Sequence, residues 1–430
     1  MGHISKNQAK VITLGCRLNA YESDVITQNA RAAGLQDTVI INSCAVTGEA
    51  VRQTRQAIRR AHKDNPESKI IVTGCAAQID PESFAAMDEV SHVLGNSEKM
   101  NPLSFDPEHL SREGRVKVND IFELRSIAPQ MISGGNFPDT KPQERTRAFL
   151  QVQNGCDHRC TFCIIPFGRG GARSVPAGDV VNHIKALVAG DYKEVVLTGV
   201  DLSSWGGDLP GAPPLGDLVR RILKLVPDLP RLRLSSVDPA EVDDILFDCL
   251  TTQARMTPYL HLSLQSGDNM ILKRMKRRHN RDDAIKLCAR LQHARPEITF
   301  GADIIAGFPT ESNDMFENSR SIISEIGIPW LHVFPYSPRK GTPAAHMPQL
   351  DKSTIKARAR DLRDAGAKVK QTHLARKIGT KDTALIEGGG LGRLADFTLV
   401  KLDKILKPSS LVHVNITGHD KDTAIGEVIG

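Results

Sequence analysis

Long apolar runs are missing from this 430-residue chain, and none is long enough to span a bilayer, which excludes a membrane-spanning helix. The opening stretch MGHISKNQAK lacks the apolar core of a signal peptide, so the chain is expected to stay in the cytosol. Cysteine is thin, eight residues in all, too few for a disulfide framework in a chain this long. Clustered cysteines in a reducing compartment read instead as metal ligands. Aromatics are sparse at 4%, and charge of one sign is not dominant: the net is +6, a mild tilt towards an anionic partner. What remains is an ordinary globular composition, 40% apolar and 25% charged, with length for two or three domains.

The first hundred residues alternate strand and helix patterns. VITLGC (11–16), TVIINSCAV (38–46), KIIVTGCA (69–76) and HVLGN (92–96) read as strands. Helical patterns stand between them, the first closed by Gly34 at a C′ position. Repeated strand–helix–strand units predict an open parallel sheet with helices on both faces. Residues 99–147 lose the rhythm and carry Pro and Gly breakers, so they read as linker plus edge structure. From 148 the rhythm returns in AFLQVQN, EVVLTGV, RLRLSSV, HLSLQS, TFGADIIAGF and WLHVFPYS. Six such units in about 190 residues predict a partial barrel rather than a complete eight-fold one. One long basic helix follows over 352–377, and short strands with Gly turns from 380 predict a small antiparallel barrel of a kind that binds nucleic acid.

Three cysteines, Cys156, Cys160 and Cys163, crowd into eight residues directly after the first barrel strand. Three thiolates can hold three irons of a 4Fe-4S cluster and leave one iron open for chemistry. Barrel active sites lie at the carboxyl ends of the strands, which agrees with this placement. A structural zinc site is the competing reading, but no fourth ligand stands nearby, since His158 lies between the first two cysteines. A second triad is spread through the sequence: Cys16, Cys44 and Cys75 each stand just past the end of an expected parallel strand. The carboxyl ends of adjacent strands share one edge, so these thiols should converge and hold a second cluster. The alternative is three separate core cysteines. Cys249 and Cys288 sit in apolar helical patterns and read as core packing. Arg52, Arg55, Arg59 and Lys63 recur at helical spacing after Cys44; such a row is either a solvated face or a grip on RNA phosphates.

The run Cys156-Asp-His-Arg-Cys160-Thr-Phe-Cys163, with Phe162 before the last cysteine, resembles the signature of the radical S-adenosylmethionine enzymes. The resemblance implies that the open iron chelates the methionine end of S-adenosylmethionine and that one electron then breaks the sulfonium bond to give a 5′-deoxyadenosyl radical. It also implies cofactor contacts at Phe162, at Gly199 in LTGVD, at Ser235 in RLRLSSV, at Gln265 and Ser266 in HLSLQS, and at Gly307 in DIIAGFPTE. LTGVD departs from the acidic G-G-E form commoner there. Arg169 and Arg173 in PFGRGGARS match an R-G-x-x-R-S segment and could pair with carboxylate or phosphate.

Taken together the parts resemble the methylthiotransferases. That resemblance implies an N-terminal cluster domain over 7–118, a linker over 119–144, a radical S-adenosylmethionine core over 145–373 and a TRAM-like all-β domain over 374–430. It implies two 4Fe-4S clusters, one making the radical and one carrying sulfur, with a second S-adenosylmethionine as methyl donor. TLGCRLNAYESDVI (13–26) looks most like the branch acting on threonylcarbamoyladenosine in tRNA. The branches acting on isopentenyladenosine in tRNA, or on an aspartate of a ribosomal protein, are the near alternatives. A non-enzymatic iron–sulfur protein that binds RNA or senses is the distant one. The implied partners are tRNA and an electron donor such as flavodoxin or ferredoxin; the sulfur donor is not implied.

Overall fold

The computed structural model describes residues 8–112, 114–124, 126–127 and 145–429. Most of the expected linker, 128–144, lies outside the described residues. No helix among the described residues is long and apolar enough to cross a membrane. The chain divides into two compact units. One comprises Met1–Ile132, Asn154–Arg173 and Ser337–Ala345; the other comprises Ser133–Gln153, Ser174–Tyr336 and His346–Gly430. The loop bearing Cys156, Cys160 and Cys163 therefore belongs to the same unit as the N-terminal sheet.

In the first unit five parallel strands run in sequence order: β1 (Lys10–Thr13), β2 (Thr38–Ser43), β3 (Lys69–Gly74), β4 (His92–Leu94) and β5 (Val116–Lys117). The central strands have few polar side chains, so each face must be covered. Val39, Ile41, Ile70 and Val72 pack on one face with Ile58 of helix α2 (Gly48–Asp64). Ile40 and Ile71 pack on the other with Ile26 of helix α1 (Arg17–Ala32). The period-2 alternation of the strands thus feeds two cores, as an open sheet with helices on both faces requires. β5 lies in the stretch that had read as edge structure, and its two residues were too short to register as a strand pattern.

The second unit holds the six expected parallel strands. β6 (Ala148–Gln151) is followed across the sheet by Glu194–Thr198 and Arg231–Leu234, with Ser236–Val237 continuing after a break at Ser235. Next come Tyr259–Gln265, Thr299–Ala306 and Trp330–Pro335. Ser235 donates its N–H to Leu197 O at 2.9 Å, and at this break a three-stranded sheet gives way to a four-stranded one. The helix Lys352–Lys377 is one uninterrupted element of 26 residues. Its Leu374 caps a closed five-stranded barrel built from 381 onward, whose core is Ala384, Ile386, Leu394, Val400, Leu402, Val414, Ile416 and Ala424. The partial barrel and the small all-β barrel are the architecture expected from the sequence.

Candidate cluster-binding edge and its buried charges

The register of the N-terminal sheet aligns Thr13, Asn42 and Thr73, and Ser43 with Gly74. Cys16, Cys44 and Cys75 follow within three residues of this level, so all three leave the same carboxyl edge. Cys16 is the exposed N-cap residue of α1; Cys44 and Cys75 are buried. Burial first, and the neighbouring Cys75 and Cys16 after it, push the Cys44 thiol up to about 12. Gly15 leaves room beside Cys44: a Cβ there would fall 2.7 Å from Cys44 Cβ and 2.9 Å from its Sγ. Gly74, with φ +93°, sets Cys75 at the start of helix α3 (Cys75–Ile79). A Cβ at Gly74 would fall 2.4 Å from Ser43 O. Gly74→Ala is therefore expected to cost about 2–4 kcal/mol of unfolding free energy, read from the urea midpoint.

The second triad sits in a doubled-back loop of the same unit. Cys156 N–H donates to Gly170 O and Cys163 N–H to Cys160 O, both at 3.0 Å. All three thiols are half-buried, as is Phe162 in the turn between the last two. A short helix, Ile165–Arg169, follows Cys163 directly and packs on α3. A Cβ on Gly168 would lie 3.2 Å from Cys75 Cβ, and Asn96 bonds through Nδ2 to Gly168 O and, at 3.8 Å, to Cys75 Sγ. Ile164 enters the sheet core beside Cys75. The two cysteine-bearing segments are thus packed against one another.

Arg169 ties them further. Its guanidinium, 2% exposed, grips Glu22 at 2.7 and 3.0 Å, Asn19 Oδ1 at 2.6 Å and Asn154 Oδ1 at 3.1 Å. Lys99, fully buried, takes the same carboxylate at 2.6 Å and reaches Asn42 Oδ1 at 3.3 Å. Burial opposes the Glu22 charge, but Arg169 and Lys99 together hold its carboxyl down at about 2. Burial also opposes the Arg169 charge, yet Cys75, Glu22 and Cys16 keep it well above its ordinary value. Burial lowers Lys99 below its ordinary range, so Arg169 is the firm positive charge beside the Cys16, Cys44 and Cys75 thiols. Three soft thiolate donors around a buried cation suit an anionic iron–sulfur group better than a lone hard ion.

Of the two possible partners, carboxylate or phosphate, Arg169 takes the Glu22 carboxylate, and it and Arg173, also a candidate for substrate RNA, are both buried with their guanidiniums taken up inside the fold. Arg173 donates to Arg169 O at 2.6 Å and Leu124 O at 3.5 Å. Arg52 is exposed but locked onto Glu49, and Arg55 bonds to Ser83 and stacks 4.9 Å over Phe84. Arg59 is exposed on the same helix.

The remaining sequence candidates stand at the carboxyl ends of the barrel strands in the second unit. Gly199 abuts Gln153, whose Oε1 would be 2.9 Å from a Cβ there. Ser235 Oγ is buried without a hydrogen-bond partner among the described residues, an unspent polar group at the strand break. Gln265 ends its strand at φ +67°, a left-handed conformation that non-glycine residues adopt at a cost of about 1–3 kcal/mol and that clusters at functional sites. Ser266 is engaged internally, with Ser319 Oγ at 3.0 Å and Asp268 N–H at 3.2 Å. Gly307 N–H donates to Glu311 at 3.1 Å, and the glycine packs on Ile355 of the long helix. Cys249 and Cys288 are buried core residues.

Glu22, Lys99, Asn19 and Asn96 were not singled out from the sequence. Asn19 and Glu22 do fall within the GCRLNAYES run, where an acid three residues from an Asn, just after a cysteine, was the available signal.

The chain matches a family model described as the radical SAM superfamily over residues 150–322, and one described as the uncharacterized protein family UPF0004 over residues 8–95. It is 48% identical over 409 residues to the threonylcarbamoyladenosine tRNA methylthiotransferase MtaB of Rickettsia prowazekii, spanning 95% of this chain and 94% of that protein. It is 35% identical to the protein of the same name from Aquifex aeolicus, over 87% and 91% of the two chains. A tRNA-2-methylthio-N(6)-dimethylallyladenosine synthase of Cereibacter sphaeroides is 31% identical over 97% and 98%. Among solved structures, the radical S-adenosylmethionine methyltransferase TsrM from Kitasatospora setae superposes with a TM-score of 0.56 at 15% identity, covering 79% of this chain and 75% of that one, a likeness of fold.

Proposed function

Because the chain belongs to the radical SAM tRNA methylthiotransferase family, we propose that it inserts a methylthio group at C2 of N6-threonylcarbamoyladenosine, at position 37 beside the anticodon of tRNA. The observation that carries the reading is the packing of two three-thiol segments against one another through Gly168 and Arg169. Cys156, Cys160 and Cys163 would hold a 4Fe-4S cluster that supplies the electron for cleaving S-adenosylmethionine, and Cys16, Cys44 and Cys75 would hold a second that carries the sulfur.

The chain's own residues do the rest. Gln265 and Ser266, at the end of their strand, lie near the cofactor's ribose, and the unspent Ser235 hydroxyl offers a further polar contact to the cofactor. Phe162, Gly199 and Gly307 belong to the same set of proposed cofactor contacts, with the bare Gly199 and Gly307 backbones making room for Gln153 and Ile355. The Glu22–Arg169–Lys99 group ties the two thiol segments together and places the Arg169 guanidinium beside the sulfur-carrying one. Exposed Arg59, with Arg52 and Arg55 on the same helix, is the RNA-facing candidate left after Arg169 and Arg173 are buried. The domain limits of 7–118, 119–144, 145–373 and 374–430 belong to the same reading, as does a flavodoxin or ferredoxin as electron source.

Nucleoside mass spectrometry of tRNA from a strain lacking the gene is the test. Threonylcarbamoyladenosine should accumulate and its 2-methylthio form should vanish. An unchanged level of the 2-methylthio form sinks the proposal. The Cereibacter relative favours isopentenyladenosine as the second reading. Loss of 2-methylthio-isopentenyladenosine alone from the same sample would select it.

A further inference from the structure

Three polar side chains stand close together on neighbouring strands of a four-stranded sheet: His261, Asp303 and His332. The register pairs Asp303 with His332 and His261 with Gly301. The alternate positions Leu260, Leu262 and Leu264 are fully buried, and Leu331 faces Gly366 of the long helix, 3.0 Å from where a Cβ there would stand. By strand alternation the three polar side chains take the opposite, inner face. His261 Nε2 lies 3.0 Å from Asp303 Oδ1, and His332 Nδ1 lies 3.2 Å from the same oxygen. All three donor atoms lie within 4.8 Å of one another.

Two further features point to a bound cation. Gly301 carries no side chain where a Cβ would fall 2.3 Å from Tyr259 Oη and 2.4 Å from His261 Nδ1. The bare backbone lets Tyr259 lie against His261, 2.8 Å from its Nδ1, which fixes the ring and leaves Nε2 as the donor nitrogen. Metal-ligating histidines are oriented in this way through their second nitrogen. The second feature is charge. The Asp303 side chain is 24% exposed, and among the described residues its ion-pair partners are the two imidazoles, with no lysine or arginine. A largely buried carboxylate needs a countercharge, which a divalent ion would supply with both imidazoles in the neutral form that ligates metal.

We propose that His261, Asp303 and His332 form a mononuclear site for a divalent transition metal, with the remaining coordination positions open towards the inner face of the barrel. Two imidazole nitrogens and a carboxylate are the donor set that such ions take with positions left open. Donor separations of 3.0 and 3.2 Å accommodate metal–ligand bonds of about 2.0–2.2 Å. The half-exposed His332 gives the ion a way in.

The test uses anaerobically reconstituted, iron-loaded protein, so that cysteine thiols are already occupied. Wild type dialysed against zinc and then against metal-free buffer should retain about one zinc per chain. His332→Ala and Asp303→Asn should retain less than about a tenth of that, with iron and sulfide content unchanged. If Asp303→Asn fails to fold, the His332 variant decides, since that side chain is half exposed. Zinc X-ray absorption should show nitrogen and oxygen scatterers only. No retained zinc in wild type, equal retention in a folded variant, or sulfur at about 2.3 Å would overturn the site. Zinc is measured without tRNA, so failure here is separable from failure of the methylthiotransferase reading.

Discussion

Replacing Cys16 with alanine should give a folded protein that cleaves S-adenosylmethionine and makes no methylthio product. Cys16 is the residue to change because it is exposed and its side chain makes no cap hydrogen bond to α1, whereas Cys44 and Cys75 are buried in the sheet core. Its loss removes one of three thiol donors without opening a cavity, so the unfolding free energy of the cluster-free protein should stay within about 0.5 kcal/mol of cluster-free wild type. Iron content should drop from about eight per chain to about four, because one of two four-iron groups no longer has its donors. 5′-Deoxyadenosine should still form in the reduced protein, since Cys156, Cys160 and Cys163 are untouched. Cys160→Ala should abolish both products. The pair of variants separates the two roles: iron near four in wild type, unchanged by Cys16→Ala, would remove the second centre, and methylthio product from Cys16→Ala would remove its part in sulfur insertion.

That Cys16, Cys44 and Cys75 leave one sheet edge was legible in the sequence because it depends on local pattern alone. Each cysteine follows a short apolar run, and the ends of parallel strands share an edge whatever the order of the strands. The six barrel strands and the 26-residue helix were legible for the same reason. Arg169 was not. In the run PFGRGGARS it has the look of a solvated basic loop, and its burial depends on Glu22, 147 positions earlier. No periodicity links residues that far apart; only the packing of the Ile165–Arg169 helix on α3 does. The His261, Asp303 and His332 group was hidden differently. Each residue obeys the alternation of its own strand, and they meet only in the register across three strands, 42 and 29 positions apart. Ser235 marks a third kind of gap, since a strand that breaks for one residue and resumes reads as one continuous run.

The buried Glu22–Arg169–Lys99 group should dominate the stability of the first unit. Arg169→Met keeps the aliphatic bulk and removes the charge, leaving Glu22 with one cation and Asn19 and Asn154 each short of a donor. Breaking a buried pair from one side typically costs about 3–5 kcal/mol, far more than the pair contributes against an apolar replacement of both members. Arg169→Lys should recover part of this, because an ammonium restores charge but not the fork that serves Glu22, Asn19 and Asn154 together. Glu22 also sets a pH dependence. Its folded carboxyl lies at about 2 against an ordinary 4.5, so the ionised form stabilises the fold. That contribution, on the order of 3 kcal/mol, is complete above pH about 4.5 and drains away as pH falls to about 2. Urea titrations of the cluster-free protein across this window should show wild type losing stability steeply on the acid side, while Glu22→Gln, less stable at neutral pH, shows a flatter slope. Arg169→Met within about 1 kcal/mol of wild type, or identical slopes for wild type and Glu22→Gln, would mean that the charges merely share a space. The two thiol segments would then be held together by Gly168 and Ile164 packing alone.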